Sequence, residues 1–436
     1  MYRLLIHFKD WLRLRTPGLV DLWHRAQGVW AAYRWGNPAA NLKIIGVTGT
    51  NGKTTTATMI AHILREAGKK VGVLTTYEFQ IDTKKIPNNT KMTTMVPATL
   101  YKLLRQMVDA GCEYAVLEVT SHALRQHRIQ GIIPRVAVFT NLTHDHLDFH
   151  ETFGTYRKAK LMLFERNPRT SVVNADDPSS EYFLKLPAFQ HFTYGFEKRS
   201  DITARKVLSE VHATLFTAVT PVGQIAIDLK LPGRFNVSNA LAAIAVGIAE
   251  GIPLPIQKHA LETFGGVPGR MEQIKAGQPF DVIVDFAHSP DALQKIYETL
   301  RPTTRGRLIS VLGAMGRRDT SKRPIMGALA GRFADLVIVT NEDPVDEDPL
   351  AIMQQVARGV PRGAPKRTKK IEGKDYFIIA DRKEAIEFAL VSAKKGDTVI
   401  VTGKGGEHWM LTADGKIPWD DVEITKAILK KHYERG

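Results

Sequence analysis

The residues best suited to chemistry in this 436-residue sequence stand in one short run, Gly46-Val-Thr-Gly-Thr-Asn-Gly-Lys-Thr54. A glycine-rich loop of this kind turns its backbone N–H groups inward around an anion. The helix that follows presents its positive N-terminal end to the same place. Lys53 is placed to bridge phosphates, and the Thr54 hydroxyl is of the type that reaches Mg2+ in such loops. Strict Walker spacing asks for glycine at position 47, where this chain has Val47, so the match is to a variant. An ordinary glycine-rich turn is the plainer reading. The strand before the run, the helix after it and the Lys-Thr pair at its end argue against that.

The flanking elements must hold this loop. Leu42 to Thr48 reads as a buried strand, Thr54 to about Ala67 as a helix and Val71 to Thr75 as a second strand. Ala98 to Ala110 looks helical, and Tyr114 to Val119 and Val136 to Asn141 look like strands. Such alternation predicts a mostly parallel sheet covered on both faces. Residues 200 to 231 alternate like antiparallel strands and predict a small sheet beside the parallel one. Leu231-Pro-Gly-Arg-Phe-Asn236 leads into an Ala-rich helix, Val237 to Glu250. Gly265 to Gly269 is rich in turn formers and marks a boundary. Strands expected at 281–285, 307–312, 335–340 and 397–401 make a second, Rossmann-like open sheet. The expected fold class is α/β. A central parallel-sheet P-loop ATPase domain spans 43–268, a C-terminal Rossmann-like domain spans 269–436, and a short helical arm precedes both.

That arm, residues 1–42, holds Trp11, Trp23, Trp30 and Trp35, four of the six tryptophans. Six Lys/Arg against two Asp give it a charge of +4. The favoured expectation is a helical arm packing its tryptophans on the next domain, because apolar stripes at helical spacing are usually core. A basic, aromatic, amphipathic segment also suits peripheral membrane contact. The whole chain carries a formal charge of +15, which attracts nucleotides, phosphorylated substrates, nucleic acid and anionic lipid alike and selects none of them. No recognisable nucleic-acid motif accompanies it. Cys112 is the only cysteine, so no internal disulfide can form, as suits a reducing, cytoplasmic compartment. No apolar run approaches the roughly 20 residues that span a bilayer. The N-terminus intersperses charges, so it contains no signal-peptide core.

The run TGTNGKTTT resembles the nucleotide loop of the Mur ligases and the related folylpolyglutamate synthetases, and the resemblance continues through nearly all the chain from residue 43. Leu117-Glu-Val-Thr-Ser-His-Ala-Leu124, with Gln126 and Arg128, resembles the EVSSHAL element and its QxR. Phe139 to Asp148 resembles FTNLxxDHLD, and Tyr156-Arg-Lys-Ala-Lys160 resembles YxxAK. Val267 to Met271 and Val284 to Asp291 resemble the GRME and DYAHTPD elements. Several motifs in the right order are more specific than any one alone. The resemblance implies an enzyme that uses ATP and Mg2+ to join an amino acid to a carboxylate through an acyl-phosphate. Its nearest branch adds the third residue to a muramoyl dipeptide in cell-wall synthesis.

Roles follow residue by residue from that resemblance. Gly49, Thr50, Asn51, Gly52, Lys53, Thr54 and Thr55 bind the nucleotide. Glu118, at the end of a strand where open α/β sheets bind ligands, holds the Mg2+ that Thr54 also touches; a salt-bridged Glu is the plain alternative. His146 becomes a ligand of a second Mg2+, although histidine is not a typical magnesium ligand. Lys160 corresponds to a carbamylated lysine whose new carboxylate binds a cation; otherwise it is a plain helix lysine. Asn236 and Asn239 read the adenine edge or, for Asn236 in particular, cap a helix. Asn174-Ala-Asp-Asp177 is a loop near the nucleotide or a turn. Thr93, Thr94, Ser121, Gln126 and Arg128 face the sugar-peptide substrate. Arg270, Asp285 and His288 close on the nucleotide from the C-terminal domain. Arg323 is the candidate to grip the incoming amino acid's carboxylate with two prongs. Gly403 and Glu407 belong to an element reading GKGGE where the family has GKGHE, and Glu407 would hold a cationic end of the amino acid.

Three departures shape the expectation. About 42 residues precede the loop, so the family's uridine-binding domain has no evident home and the donor is expected to be gripped differently or to lack UDP. Met92 replaces an Asn before Thr93-Thr94. Where diaminopimelate-adding members read DNPR, this chain reads Glu342-Asp-Pro-Val345, and Val345 cannot contact a distal carboxylate as arginine does. Glu342 and Asp343 then suit a basic acceptor such as lysine; a solvated acidic loop is the alternative. Rival functions are a ligase of the same superfamily acting on folate or on a lipid-linked wall precursor, and a nucleotide-binding regulator without ligase chemistry.

Overall fold

The computed structural model describes residues 16–90, 92–143, 147–150, 152–197, 199–364 and 370–433. Eleven strands form the larger sheet: β1 (Lys43–Thr48), β2 (Val71–Leu74), β3 (Glu78–Ile81), β4 (Lys84–Pro87), β5 (Tyr114–Glu118), β6 (Val136–Phe139), β7 (Thr170–Asn174), β8 (Gln190–Gly195), β9 (Ile202–Ser209), β10 (Thr214–Thr220) and β11 (Gly223–Leu229). Their order is β11-β10-β9-β8-β7-β6-β1-β5-β2-β3-β4. The central members pair in parallel, with Val47 opposite Glu118 and Thr48 opposite Phe139.

Helices cover both faces, and the strand sequences show why. β1 alternates its side chains between two apolar layers. Ile45 and Val47 join Ile60, Ile63, Ala240 and Ile244 on one side. Ile44 joins Leu100, Leu104, Met107 and Leu117 on the other. The first layer comes from helices Lys53–Glu66 and Arg234–Ala249, and the second from Pro97–Asp109.

The three strands expected as a separate small sheet are instead the far wing of the large one. β9 pairs in parallel with β8 through Tyr194–Ile202 and Gly195–Thr203, before β10 and β11 continue antiparallel. The outer edge of β8 would otherwise expose unpaired backbone groups, and β9 satisfies them.

The second sheet has the order β12-β13-β17-β14-β15-β16, built from Glu272–Gln273 (β12), Asp281–Asp285 (β13), Leu308–Leu312 (β14), Leu336–Val339 (β15), Tyr376–Ile378 (β16) and Thr398–Thr402 (β17). All but the short edge strand β12 run parallel. A hairpin, β18 (Trp409–Thr412) and β19 (Gly415–Pro418), follows.

The arm is helical over Pro17–Arg34. It approaches the body on small residues: Gly28 and Ala31 are buried, and a Cβ on Gly28 would lie 2.4 Å from that of Gln130. The carboxylate of Asp21 meets His127 Nε2 at 2.7 Å. This small-residue contact turns two of the tryptophans outward, against the expectation that they pack inward. Trp35 is half-buried against the core, Trp23 and Trp30 face outward, and Trp11 lies outside the described residues. No described helix is long and apolar enough to cross a membrane.

Candidate active site

Both sheets turn the C-terminal ends of their parallel strands toward one cleft of about 1470 Å³. β1 runs into the loop Gly49–Gly52, β5 ends at Glu118, β2 runs on to Thr76, and β6 and β7 deliver Thr140, Asn141 and Asn174. From the other side, β13 ends at Asp285, and the segments after β14, β15 and β17 bring Arg317, Arg318, Glu342, Asp343 and Gly403. Open α/β sheets bind ligands at this edge because loops there are free to vary on a rigid frame.

The loop conformation depends on its glycines. Gly49 has φ +156° and Gly52 φ +81°; a Cβ on the first would fall 1.8 Å from Thr140 Oγ1, and one on the second 2.4 Å from Asn239 Oδ1. Helix Lys53–Glu66 starts directly behind it. Lys53 Nζ donates to the Thr50 carbonyl at 2.8 Å and lies 4.0 Å from Glu118 Oε1. Thr54 Oγ1 donates to Glu118 Oε2 at 2.9 Å, and the Thr76 N–H and hydroxyl donate to the same oxygen, each at 3.0 Å. The carboxylate is 3% exposed, and these donors together with the nearby ammonium are its partners inside the protein. Thr76 was not singled out from the sequence. Its signal was its place just past β2, at the same sheet edge as Glu118.

Lys160 is buried beneath the loop. Its ammonium donates to the Gly49 carbonyl at 2.6 Å and sits 4.6 Å from the Tyr156 ring. The Tyr156 hydroxyl in turn meets Thr50 Oγ1 at 3.1 Å. His146 lies outside the described residues.

Asn51 donates two hydrogen bonds that bear on the cleft. Its N–H donates to Asn141 Oδ1 at 2.9 Å, and its amide donates to Asp291 Oδ2 at 2.7 Å across the cleft. Asn236 and Asn239 also face the cleft, and their amides are committed within the protein. Asn236 Nδ2 donates to the Pro232 carbonyl at 2.9 Å, and Asn239 Oδ1 accepts from Thr56 at 3.2 Å. Asn174 donates to the Thr140 carbonyl at 2.7 Å, and Asp177 accepts from the Leu142 N–H at 2.7 Å, so this loop shapes the cleft wall beside the nucleotide run.

Beside Thr76, the residues Thr93, Arg128 and Met92 line the cleft. Thr93 meets Thr76 Oγ1 at 2.9 Å. Arg128 is held by Gln126 and by the Thr94 carbonyl, the latter at 2.6 Å. Thr94 itself is buried and bonds the Glu118 carbonyl at 2.9 Å. Ser121 is buried against His150 Nε2 at 2.9 Å. Thr94, Ser121 and Gln126 therefore support the wall, whereas Thr93 and Arg128 form it.

The facing lobe is dense in charge. Arg270 lies among Glu118, Asp285 and Glu407, with its guanidinium 4.2 Å from the Phe286 ring. Burial pushes the Asp285 carboxyl upward against the pull of Arg270, while the N–H groups of Met271 and Ala287, each at 2.7 Å, hold it in place. His288 lines the cleft and meets the Phe286 carbonyl through Nδ1 at 3.0 Å.

Arg323 differs from expectation. It is 1% exposed, pairs with Glu347 at 2.9 Å, and donates to Gln355 at 2.9 Å and to the Met315 carbonyl at 3.1 Å. Its fork is spent inside the lobe, because it sits one residue into helix Lys322–Phe333 and points beneath it. Arg317, Arg318 and Lys322 line the cleft instead.

Lys404 is the second residue missed from the sequence. Its buried ammonium donates to Asp343 Oδ1 at 2.9 Å and also to Glu407. Asp343 further accepts the Leu411 N–H at 2.8 Å. Glu342 is buried beside them, and desolvation, opposed by Arg382, raises its carboxyl to about 7. A Cβ on Gly403 would lie 2.2 Å from Glu342 Oε2, so only glycine fits there. Val345 occupies φ +62°, an unusual conformation for a β-branched residue, at the cleft wall.

Comparison with known proteins agrees with this geometry. The Mur ligase middle domain matches residues 47–247, and the Mur ligase, glutamate ligase domain matches residues 269–405. A UDP-N-acetylmuramoyl-L-alanyl-D-glutamate--2,6-diaminopimelate ligase of Bacillus velezensis is 42% identical over 408 residues, covering 92% of this chain and 81% of that protein. A UDP-N-acetylmuramyl-tripeptide synthetase of Roseiflexus sp. is 42% identical over 420 residues, covering 92% and 82%. A solved diaminopimelate ligase structure of the same name superposes with a TM-score of 0.65 at 30% identity, covering 93% of this chain and 83% of that one. The fold is also that of a Mycobacterium tuberculosis folylpolyglutamate synthase, with a TM-score of 0.70 at 17% identity and coverage of 97% and 98%. With the phosphate loop, the strand-end carboxylate and the facing lobe all in one cleft, this chain belongs to the Mur ligase family, whose members are ATP-dependent, ADP-forming amide ligases.

Proposed function

We propose that this chain adds the third amino acid to a UDP-N-acetylmuramoyl dipeptide in peptidoglycan synthesis, with ATP as the energy source. The observation that carries the reading is the convergence of Lys53, Thr54 and Glu118 at one sheet edge, opposite Arg270 and Asp285. The relatives above act on such a donor by name.

Amide formation from a free carboxylate is uphill in water. Moving the γ-phosphoryl group of ATP onto the donor carboxylate gives a mixed anhydride that an amine attacks, with phosphate leaving. The loop N–H groups and Lys53 neutralise the triphosphate, and Arg270 offers a second cation across the cleft. A hard cation fits beside Thr54 Oγ1 and Glu118 Oε2, both oxygen donors; Mg2+ there would neutralise charge on the moving phosphoryl. Carbamylation of Lys160 would add a carboxylate beneath the same loop. Thr93 and Arg128 hold the donor end, and the two lobes exclude water from the anhydride.

The acceptor end favours a diamino acid without a distal carboxylate, such as lysine. Val345 offers no cation for a second carboxylate, and Asp343 and Glu407 set two carboxylates against the single ammonium of Lys404. ATP hydrolysis screened with the UDP-muramoyl dipeptide against the twenty amino acids and diaminopimelate tests both parts. The expected result is ADP release that requires the donor and one cationic amino acid. Release driven by a folate or by no donor at all would overturn the reading.

A further inference from the structure

We propose that helix Pro17–Arg34 seats this enzyme on an anionic lipid surface. The helix is anchored on one side by Gly28, Ala31 and the Asp21–His127 contact. The opposite side carries Leu19, Leu22, Trp23, Val29, Trp30 and Tyr33, each 58% to 86% exposed. Steps of three, four and seven residues place them in one stripe along the helix. A soluble helix ordinarily turns such a stripe inward and its polar residues outward. Here the inward face consists of small residues and the large apolar ones face outward, and contiguous exposed apolar surface of this kind marks an interaction site.

Charge selects the occupant. At about 100° per residue, Arg25 and Arg34 fall on the two borders of the stripe. Arg25 is partly offset by Asp21 at 2.9 Å, and Arg34 stands 5.3 Å from the Trp35 ring. The preceding sequence, Met1 to Arg15, carries Arg3, Lys9, Arg13 and Arg15 against Asp10 alone. Folding that segment back over the stripe, or pairing the stripe with a second copy, would set cations against cations. A layer of anionic headgroups instead meets Arg25 and Arg34 at the borders of the stripe, with Trp23, Trp30, Leu19 and Leu22 entering the acyl boundary.

The test is co-sedimentation of the full chain with vesicles of phosphatidylcholine alone and of phosphatidylcholine with phosphatidylglycerol. The wild type is expected to pellet with the anionic vesicles and to be released by high salt. The Trp23→Ser/Trp30→Ser double variant should lose roughly tenfold in partitioning while keeping its melting temperature and nucleotide binding, since both residues are on the surface. Equal binding by the variant, or no binding by the wild type, would overturn the proposal. So would a lipid-free dimer that the variant dissociates, which assigns the stripe to a second copy. Equally decisive against it is tryptophan fluorescence, lost in the variant, that is already shielded from acrylamide in the lipid-free monomer, which assigns the stripe to residues 1–15.

Discussion

Asn51, within the phosphate loop, donates its side-chain amide to Asp291 of the facing lobe at 2.7 Å. Asp291 also pairs with Lys295 at 2.8 Å, so the acceptor is held in position on its own helix. This bond ties the glycine-rich loop to the facing lobe across the cleft. Asp291→Ala is expected to raise the KM for the amino acid and lower kcat/KM about tenfold, with the melting temperature nearly unchanged, because one charged hydrogen bond is worth ~1.5–3 kcal/mol. Steady-state kinetics with each substrate varied in turn checks this; an unaltered KM for the amino acid would dissociate the bond from closure.

Glu118 gathers Thr54, Thr76 and the approach of Lys53 on one carboxylate. Glu118→Gln keeps the volume and removes the charge. The expected outcome is a fall in kcat of about 10²–10³, with the Mg2+ concentration for half-maximal activity shifted upward. A magnesium titration of ATP hydrolysis reads both. Unchanged magnesium dependence would remove Glu118 from cation binding.

Lys160 separates two roles for one buried side chain. As an ammonium it pins the Gly49 carbonyl; as a carbamate it would supply a carboxylate. Lys160→Ala is expected to abolish turnover, and short carboxylic acids such as formate or acetate should restore part of it. Rescue by no carboxylic acid, in a variant that still binds ATP, would leave only the pinning role.

Glu342 gives a stability prediction with a definite sign. Its carboxyl is raised from the ordinary value near 4.5 to about 7 in the folded protein. The folded state therefore binds the proton more tightly than the unfolded chain, and stability falls as pH rises from about 4.5 to about 7. Glu342→Gln removes that dependence. Relative to wild type, the variant should gain on the order of 2–3 kcal/mol between pH 4.5 and pH 8. Denaturant melts at both pH values measure the difference; a gap that stays constant with pH would show that folding leaves the Glu342 carboxyl at its unfolded value.

The sequence disclosed the site where local rules dictate it. The loop at 46–54 was legible because only glycine fits its turns, and Glu118 because it closes an apolar strand at the binding edge. What could not be read depends on partners distant in the chain. Arg323 looked available in its motif, yet Glu347 and Gln355 consume it. Lys404 drew no reading between its two glycines, because its partners Asp343 and Glu407 are brought to it only by the fold. The antiparallel strands were recognised, while their union with the large sheet depended on the edge of β8. The arm was recognised as helical, and its orientation was set by Gly28 rather than by its tryptophans.

The chemical claim at the centre of this account is that the donor carboxylate is phosphorylated before the amine attacks. Oxygen-18 in that carboxylate tests it directly. With ATP, Mg2+, the labelled UDP-muramoyl dipeptide and the amino acid present, one labelled oxygen is predicted in each phosphate released. Phosphate free of label, produced alongside the tripeptide, would contradict the acyl-phosphate route.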